Sequence, residues 1–269
     1  MNESLVADVK EMVSEQLEYK ELLYQITLRD LKLRYKQTVM GFAWAIFMPL
    51  LNTALFSVIF TQVAPGAFQT AVAYPVWVYC GLSFWNFFAA GVRFATNSLS
   101  GNLNLVTKVY FPREILPLSA VLVSAVDFLV STTVLAALMI WYHVVPGWAL
   151  LLVPFLIVLQ LLFATAVSLV LSMANVFFRD VKYLVEALMT IWMFATAVVY
   201  PIDQLGGRLG LIMRINPMTP MVEAFRSVVL YNRMPDPLGI AYVIVVSVLS
   251  LSAAWLTFHR AEFKFAESV

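Results

Sequence analysis

The sequence predicts an all-α integral membrane protein with six transmembrane helices, an N-terminal amphipathic helix at the membrane interface, and short outer helices, re-entrant or gating, between spans five and six. Its 269 residues are 62% hydrophobic and only 12% charged, whereas soluble domains carry about 25% charged residues. No charged residue occurs in two long runs, 37–92 and 128–178. Each run can hold two helices of the roughly 20 residues that cross a bilayer.

The N-terminal segment, residues 1–38, is predicted to be cytoplasmic and to contain an interfacial helix. Its first 36 residues include 13 charged side chains, which is incompatible with a cleaved signal peptide. One apolar face recurs at helical spacing through Tyr24, Leu28, Leu31 and Tyr35. Charged residues follow the same period on another face. Such a basic amphipathic helix is expected in the headgroup layer; the alternative is a solvated cytoplasmic helix.

Six spans account for the apolar sequence of the transmembrane domain, residues 39–259. The predicted spans are 39–64, 75–99, 115–142, 148–175, 183–202 and 238–258. Because short cytoplasmic segments retain Lys and Arg, the distribution of these residues gives the orientation: 12 fall on the side of the N-terminus and 4 on the other. Both termini, including the tail 260–269, are therefore predicted to be cytoplasmic.

The outer connector between spans five and six, residues 203–237, is too charged to span the membrane and unusually apolar for a loop. Between its prolines, residues 218–230 have a helical pattern. We expect one or two short helices that dip into the outer leaflet or lie on it. Irregular backbone at that depth needs cover from protein or water, so this connector is expected to cap a wet region.

Several functional classes are disfavoured by what the sequence lacks. A net charge of +1 gives no reason to expect nucleic acid as a partner, and the single cysteine, Cys80, gives neither a disulfide framework nor a CxxC site. No G-x-x-x-x-G-K-[ST] loop is present, so any driving ATP would bind to another subunit. His143 and His259 lie on opposite predicted sides, which excludes a two-histidine metal site in one monomer. The sequence shows no pairing of a nucleophile with a general base, so it gives no indication of an enzyme.

Ionisable and aromatic residues within the spans are the remaining candidates for function. Arg93 and Glu186 lie near the ends of their predicted spans, so both are interpreted as interfacial. Asp127, near the middle of span three, is a candidate for a functional charge, although a hydrogen bond between helices is the simpler interpretation. Aromatic side chains abound in spans one, two and five. They can stack on sugar rings, but lipid-facing packing is the simpler explanation for any single one.

Four motifs then give a resemblance that covers nearly the whole chain. They are LRDLKLRYKQTVMGFAW at 28–44, followed by Pro49-Leu50, then FPREILP at 111–117, FRDV at 178–181 and NPMTPMVEAFR at 216–226. In this order they resemble the membrane subunits of type-2 ABC exporters that move O-antigen-like polysaccharides or teichoic acids. The resemblance implies a homodimer in the cytoplasmic (inner) membrane with two copies of a separate ATP-binding cassette subunit, which would bind ATP and Mg. No cofactor is expected on this chain, and the implied cargo is a lipid-linked polysaccharide.

The resemblance also implies roles for three groups of residues. Coupling to the ATPase would involve Arg29, Asp30, Lys32, Arg34, Lys108, Arg113 and Glu114. A conduit beside a lateral opening between spans one and five would be lined by Phe42, Trp44, Phe47, Trp85, Phe88, Trp192, Phe194 and Tyr200. An outer gate would involve Asn216, Pro217, Glu223 and Arg226. The alternatives are a type-2 ABC permease for a small drug or lipid, and a membrane scaffold protein that transports nothing.

Overall fold

The structure, a computed structural model, describes residues 18–36, 41, 43–63, 69–108, 111–204 and 207–268, in which all regular structure is helical. The predicted conduit residue Phe42 lies outside the described residues. The helices are α1 Lys20–Tyr35, α2 Ala43–Val58, α3 Tyr74–Ser98, α4 Leu103–Lys108, α5 Ile115–Trp141, α6 Val153–Phe177, α7 Val181–Ala195, α8 Gly207–Ile215, α9 Met218–Val229 and α10 Pro237–Ser268. A π-helical turn, Ile59–Val63, extends α2, and 3-10 turns cover Ser100–Asn102, Trp148–Leu152 and Ile202–Gln204.

Local sequence signals explain where several helices begin and end. Pro75 and Pro154 occupy the first turns of α3 and α6, where the missing N–H has no intrahelical partner to lose. At the start of α10, the Asp236 carboxylate accepts a hydrogen bond from the Gly239 backbone N–H at 2.8 Å. α5 ends just before His143, whose φ of 55° cannot continue a right-handed helix.

α3 lies at the centre of the bundle. Every residue from 76 to 85 is buried, because α2, α5, α6, α7 and α9 all pack against α3. α10 packs along α6, and α1 packs along α5. The α9 helix lies where α3 begins, and the residues of α1 contact the region where α3 ends. We call these two places the α9 end and the α1 end; at 1.5 Å per residue, α3 separates them by about 37 Å.

Four helical stretches are long and apolar enough to cross a membrane: Ile46–Val63, Ile115–Trp141, Trp148–Phe177 and Pro237–Ala261. They correspond to predicted spans one, three, four and six. α3 matches the predicted second span in its position and has 25 residues. The chain is thus a multi-pass membrane protein with an all-helical fold in its described part.

The helix of the predicted fifth span is shorter than the sequence predicts. α7 has 15 residues and ends at Ala195 rather than at position 202, which gives it a length of about 22 Å against a hydrocarbon layer of about 30 Å. The helix breaks because Ala197 has a φ of 54°. The residues after α7 are nevertheless buried, so other parts of the protein must bind their backbone groups.

α9 confirms the helical pattern predicted within 218–230, but its surroundings differ from the prediction. Met218, Val222 and Phe225 are each at most 1% exposed. Phe225 stacks on Phe84 of α3 with ring centres 4.6 Å apart. α9 therefore packs into the protein against α3, α6 and α10, and its apolar face does not lie on a lipid surface.

α1 has a packed face that the sequence analysis did not predict. Ile26 is 6% exposed and packs in an apolar cluster at the α1 end together with Phe111 and Phe258. Tyr24, from the predicted apolar stripe, is 55% exposed. At 100° per residue, Tyr24 and Ile26 point about 160° apart, so α1 carries apolar residues on two opposite sides. One side of α1 thus packs on the bundle through α5, and the other side is exposed.

Candidate functional site

A cavity of about 520 Å³ lies between α2, α3 and α5, beside the last turn of α1. We call it the polar groove. Its polar and charged lining consists of Arg34, Tyr35, Asn52, Ser83, Asn86, Arg93, Ser124, Asp127 and Ser131, and its aromatic lining of Trp44, Phe87, Phe94 and Phe128. Amide and hydroxyl groups can bind a polyhydroxylated ligand, and the rings can stack on it.

Several residues of the polar groove escaped the sequence analysis. Asn52, Ser83 and Asn86 lie within predicted spans whose other residues are mostly apolar. Polar side chains at such positions need protein or water as neighbours. An amide or hydroxyl side chain within an otherwise apolar span is therefore the sequence signal that could have identified them.

Asp127 is the acceptor of a polar cluster that joins α1 to α5. Arg34 donates to one of its carboxylate oxygens and the Tyr35 hydroxyl donates to the other. The Arg34 guanidinium carbon also lies 3.6 Å from the centre of the Phe94 ring on α3, a cation–π distance. The side chains of Arg34 and Asp127 are only 16% and 18% exposed. The interpretation of Asp127 as a hydrogen-bonded link between helices is therefore confirmed, and its partner is α1.

Arg93 and Glu186, which were interpreted separately as interfacial residues, form an ion pair with each other. Arg93 Nε lies 3.1 Å from Glu186 Oε2. The pair joins α3 to α7 at the edge of the polar groove, and both side chains are substantially exposed. It therefore contributes little to stability on its own, but it adds charge beside the polar groove.

Three residues assigned to the conduit form a packed aromatic cluster inside the single chain. Trp85 and Phe88 are 2% and 0% exposed, and both rings contact Trp192 with centres 6.3 and 5.1 Å away. Phe163 of α6 completes the cluster. Edge-to-face contacts of this kind stabilise helix packing, so in this structure these side chains hold α3, α6 and α7 together and do not line the polar groove.

The other described aromatic residues assigned to the conduit lie closer to the surface. Trp44 and Phe47 on α2 are each 39% exposed and contact each other edge-to-face at 5.9 Å; Trp44 alone of these lines the polar groove. Phe194 of α7 is 44% exposed and contacts Phe56 of α2. The Tyr200 hydroxyl donates to the Phe194 carbonyl. α2 and α7 are therefore neighbours, on a broadly exposed apolar face.

The residues assigned to coupling divide into bound and exposed side chains. Arg29 pairs with Asp30 at 2.7 Å and donates to Asn102 at 3.1 Å. Asp30 also accepts a hydrogen bond from Ser119 at 3.1 Å. These contacts fix α1 to α5 and to the turn before α4. The exposed members are Lys32 and Lys108, which remain available to a partner.

The remaining coupling residues, Arg113 and Glu114, lie just before α5. Arg113 is half-buried. Glu114 is 0% exposed and accepts a hydrogen bond from the Trp255 indole at 3.1 Å. A carboxylate so deeply buried is not presented to another subunit in this structure. Its role here is to join α5 to α10.

Asn216, assigned to the outer gate, satisfies the backbone where α7 ends. Its amide donates to the Ala195 carbonyl at 3.1 Å and to the Thr196 hydroxyl at 2.9 Å. Its carbonyl oxygen accepts from the Trp192 indole at 2.9 Å and from the Met218 backbone N–H at 3.1 Å. Pro217 follows as the cap residue of α9. One amide side chain therefore links α7, the aromatic cluster and α9.

Arg226, also assigned to the outer gate, is completely buried. Its guanidinium donates to the carbonyls of Ala197 and Val198 and to Glu223 at 2.8 Å. Its central carbon lies 3.5 Å from the centre of the Trp77 ring. These contacts provide donors for the carbonyls freed by the break after α7. Arg226 therefore makes the buried, non-helical backbone at the α9 end possible.

A second polar cavity, of about 400 Å³, opens at the α9 end. Asp203 and Arg214 line it and pair with each other at 3.0 Å, and Glu223 faces it from α9. Burial raises the pKa of the nearby Tyr231 phenol, and the Arg226 guanidinium partly opposes that rise. The two cavities lie at different levels of the bundle.

Comparison with known proteins identifies similar chains. Residues 21–230 match the family model described as ABC-2 type transporter. The chain is 32% identical over 260 residues to the O-antigen export system permease protein RfbA of Myxococcus xanthus, covering 96% of this chain and 99% of the relative. It is 28% identical over 254 residues to a protein of the same name from Klebsiella pneumoniae, covering 92% and 94%. The similarity thus includes both the polar groove and the α9 end.

Proposed function

We propose that this chain, which belongs to the ABC-2 type transporter family, is the membrane permease of an ATP-driven exporter of O-antigen-type polysaccharide. The observation that carries the proposal is the similarity, over almost the full length of each chain, to O-antigen export permeases of two organisms. A separate subunit would bind ATP and Mg and would drive transport, and the permease would lie in the cytoplasmic membrane with both termini inside.

The polar groove supports a role in glycan transport. Sugars present hydroxyl groups around a ring whose faces are largely apolar, and the groove combines amide and hydroxyl groups with the rings of Trp44 and Phe94. Such contacts are individually weak, which suits a polymer that must slide. We assign the glycan path to this groove and retain Trp44 from the predicted conduit. Trp85 and Phe88 instead pack against α6 and α7 and support α3, which lines the path.

The exposed face of α2 supports a homodimer of six-span subunits. Met48 and Leu55 on this face are 52% and 57% exposed, and Asn52 of the polar groove is exposed beside them. An amide facing hydrocarbon is unfavourable, whereas a second copy would place it opposite another polar groove. In this proposal, α7 and the irregular segment after it complete the fifth crossing, and Lys32 and Lys108 face the ATP-binding subunit.

Deleting the gene should separate polysaccharide export from the alternative of small-molecule transport. We expect lipid-linked polymer to accumulate on the cytoplasmic face of the membrane and to reach the outer face again when the wild-type chain is restored. The measurement is the amount of polymer on each face in spheroplasts. Unchanged polymer outside would favour a permease for a small drug or lipid, and would leave the family assignment intact.

Filling the polar groove should block transport without preventing folding. Asn86→Trp places a bulky indole among the polar groups of the groove, so we expect export to fall at least about tenfold because the indole obstructs the glycan and removes an amide that would bind it. The matched control is Leu129→Trp on α5, because Leu129 is 54% exposed. Export is measured alongside membrane abundance and copurification of the ATP-binding subunit. Normal export by Asn86→Trp would place the path elsewhere.

A further inference from the structure

We propose that a second groove, at the α1 end, binds a phospholipid through the primary ammonium of its headgroup, and that Glu114 recognises that ammonium. The groove has a volume of about 360 Å³ and lies between α1, α5, α6 and α10. Most of its lining is hydrocarbon, including Leu23, Leu118 and Leu161. Its polar residues are Glu114, Thr165 and Trp255. We call it the lipid groove.

The state of the Glu114 carboxylate is the first argument for a ligand. One oxygen, Oε1, accepts the Trp255 indole N–H, whereas Oε2 is buried and has no hydrogen-bond partner in the structure. Glu114 also forms no ion pair with any described residue. A buried carboxylate oxygen without a donor is strongly unfavourable. A ligand that brings a charged N–H donor into the lipid groove would supply the missing bond.

The shape of the lipid groove is the second argument. Along α5, the lining extends from Glu114 to Leu122, and along α6 from Leu169 to Val158. At 1.5 Å per residue these stretches are about 12 and 16 Å long. The carboxylate thus stands at one end of an elongated apolar groove. This arrangement complements a molecule with a cationic head and a hydrocarbon chain.

The position of the lipid groove is the third argument. Glu114 directly precedes the candidate span Ile115–Trp141, which is the level at which headgroups meet hydrocarbon. Val158, at the far end, is 53% exposed on a helix long and apolar enough to cross a membrane. A lipid can therefore enter from the surrounding leaflet while its headgroup remains at the interface.

Headgroup chemistry selects among lipids. An anionic headgroup such as phosphatidylglycerol would meet the Glu114 carboxylate with like charge. A choline headgroup carries positive charge but has no N–H to donate. Phosphatidylethanolamine supplies both the positive charge and the N–H donor, because its primary ammonium is charged and donates hydrogen bonds. Since Leu23 of α1 lines the lipid groove, the bound lipid would also help to hold α1 against the bundle.

The test is lipid retention by the purified full-length protein. Micelles are supplemented with dioleoyl phosphatidylethanolamine, phosphatidylcholine or phosphatidylglycerol, and bound lipids are counted by native mass spectrometry. We expect phosphatidylethanolamine to bind about tenfold more tightly than the other two, as a charge-assisted hydrogen bond allows. Glu114→Gln should remove this preference while its amide oxygen still accepts the Trp255 N–H. Glu18→Gln, at an exposed position of the same chain, should retain it.

A second variant keeps the proposal testable if Glu114→Gln fails to fold. Val158→Phe fills the far, exposed end of the lipid groove and should weaken retention of phosphatidylethanolamine without touching the carboxylate. Equal retention of the three lipids by the wild-type protein would overturn the proposal. So would stronger binding of phosphatidylglycerol, or a preference that survives in Glu114→Gln. None of these outcomes depends on what the protein transports.

Discussion

Arg226→Leu should disrupt the α9 end and lower the thermal unfolding midpoint by on the order of 10 °C. The substitution removes every donor that the guanidinium gives to Ala197, Val198 and Glu223. The Ala197 and Val198 carbonyls belong to buried residues, so water cannot replace their lost bonds, whereas the Glu223 side chain is 33% exposed. Leaving a buried acceptor without a donor costs about 1–3 kcal/mol, so the two buried carbonyls together account for a loss of a few kcal/mol.

Two arginine variants separate this effect from a general loss of charge. Arg226→Lys should recover only part of the stability, because one ammonium cannot reach three separate acceptors and stack on Trp77 as a planar guanidinium does. Arg214→Leu removes an arginine from the same connector, but its pair with Asp203 is 61% and 83% exposed. That loss should be less than about 1 kcal/mol. Equal midpoints for Arg226→Leu and Arg214→Leu would contradict the role assigned to Arg226.

Gly81 gives an independent approach to the same contact from α3. A Cβ at Gly81 would overlap with Arg226 Nη2 and would lie 3.0 Å from the Val198 carbonyl oxygen. Gly81→Ala should therefore displace the guanidinium and reproduce part of the loss seen in Arg226→Leu. Gly91→Ala is the control on the same helix, because its Cβ would meet its nearest neighbours at 3.6 Å, an ordinary contact distance.

The contrast between α7 and α9 shows what the sequence could and could not predict at this end. The helical period within 218–230 predicted α9, because a run of apolar residues at spacings of 3 to 4 needs no distant information. The end of α7 was misplaced by seven residues. Where a helix is followed by further apolar residues, the local sequence gives no signal for the end of the helix. Here α7 can end because Asn216 and Arg226, about 20 to 30 residues away, donate hydrogen bonds to its freed carbonyls.

Composition likewise predicted which spans are aromatic without predicting which rings are accessible. Trp85 and Phe88 on α3 and Trp44 on α2 are all aromatic, so composition does not distinguish them. The first two are buried because α6 and α7 cover that side of α3, whereas α2 is covered on one side only. The ion pair between Arg34 and Asp127 was also not predictable from the sequence, because the two residues are 93 positions apart. The boundaries of α3 and α5, which depend on local signals, were predicted to within one residue, whereas α10 continues ten residues past the predicted end of span six at 258.

Asp127→Asn should release the last turn of α1 from α5 and reduce export strongly while the bundle stays folded. The substitution removes the charge that holds Arg34 and leaves a weaker acceptor for Tyr35. The pair is mostly buried, so we expect a loss of about 2 kcal/mol in the attachment of α1. This corresponds to a roughly 30-fold larger population of the detached state. The bundle itself should persist, because the core around α3 does not include these side chains.

Limited proteolysis with trypsin would measure this detachment directly, since α1 contains Lys32 and Arg34 as cleavage sites. Cleavage within α1 should accelerate roughly in proportion to the detached population when opening is fast relative to cleavage. Lys32→Ala, at an exposed position beside the pair, is the control for cleavage at Arg34, because its change leaves the contact between α1 and α5 intact. If Lys32 contacts the ATP-binding subunit, this variant will lose export while cleavage at Arg34 stays slow.

The charge exchange Arg34→Asp with Asp127→Arg is the decisive variant. If attraction between these two positions holds α1 in place, the double variant should recover much of the export, and of the protection against cleavage at Lys32, that either single change removes. Tyr35 would then face an arginine instead of a carboxylate, so recovery should be partial. Losses that simply add in the double variant would show that the pair is not coupled. Because α1 leads into α2 and the polar groove, recovery of export together with protection would establish that this attachment is needed for transport.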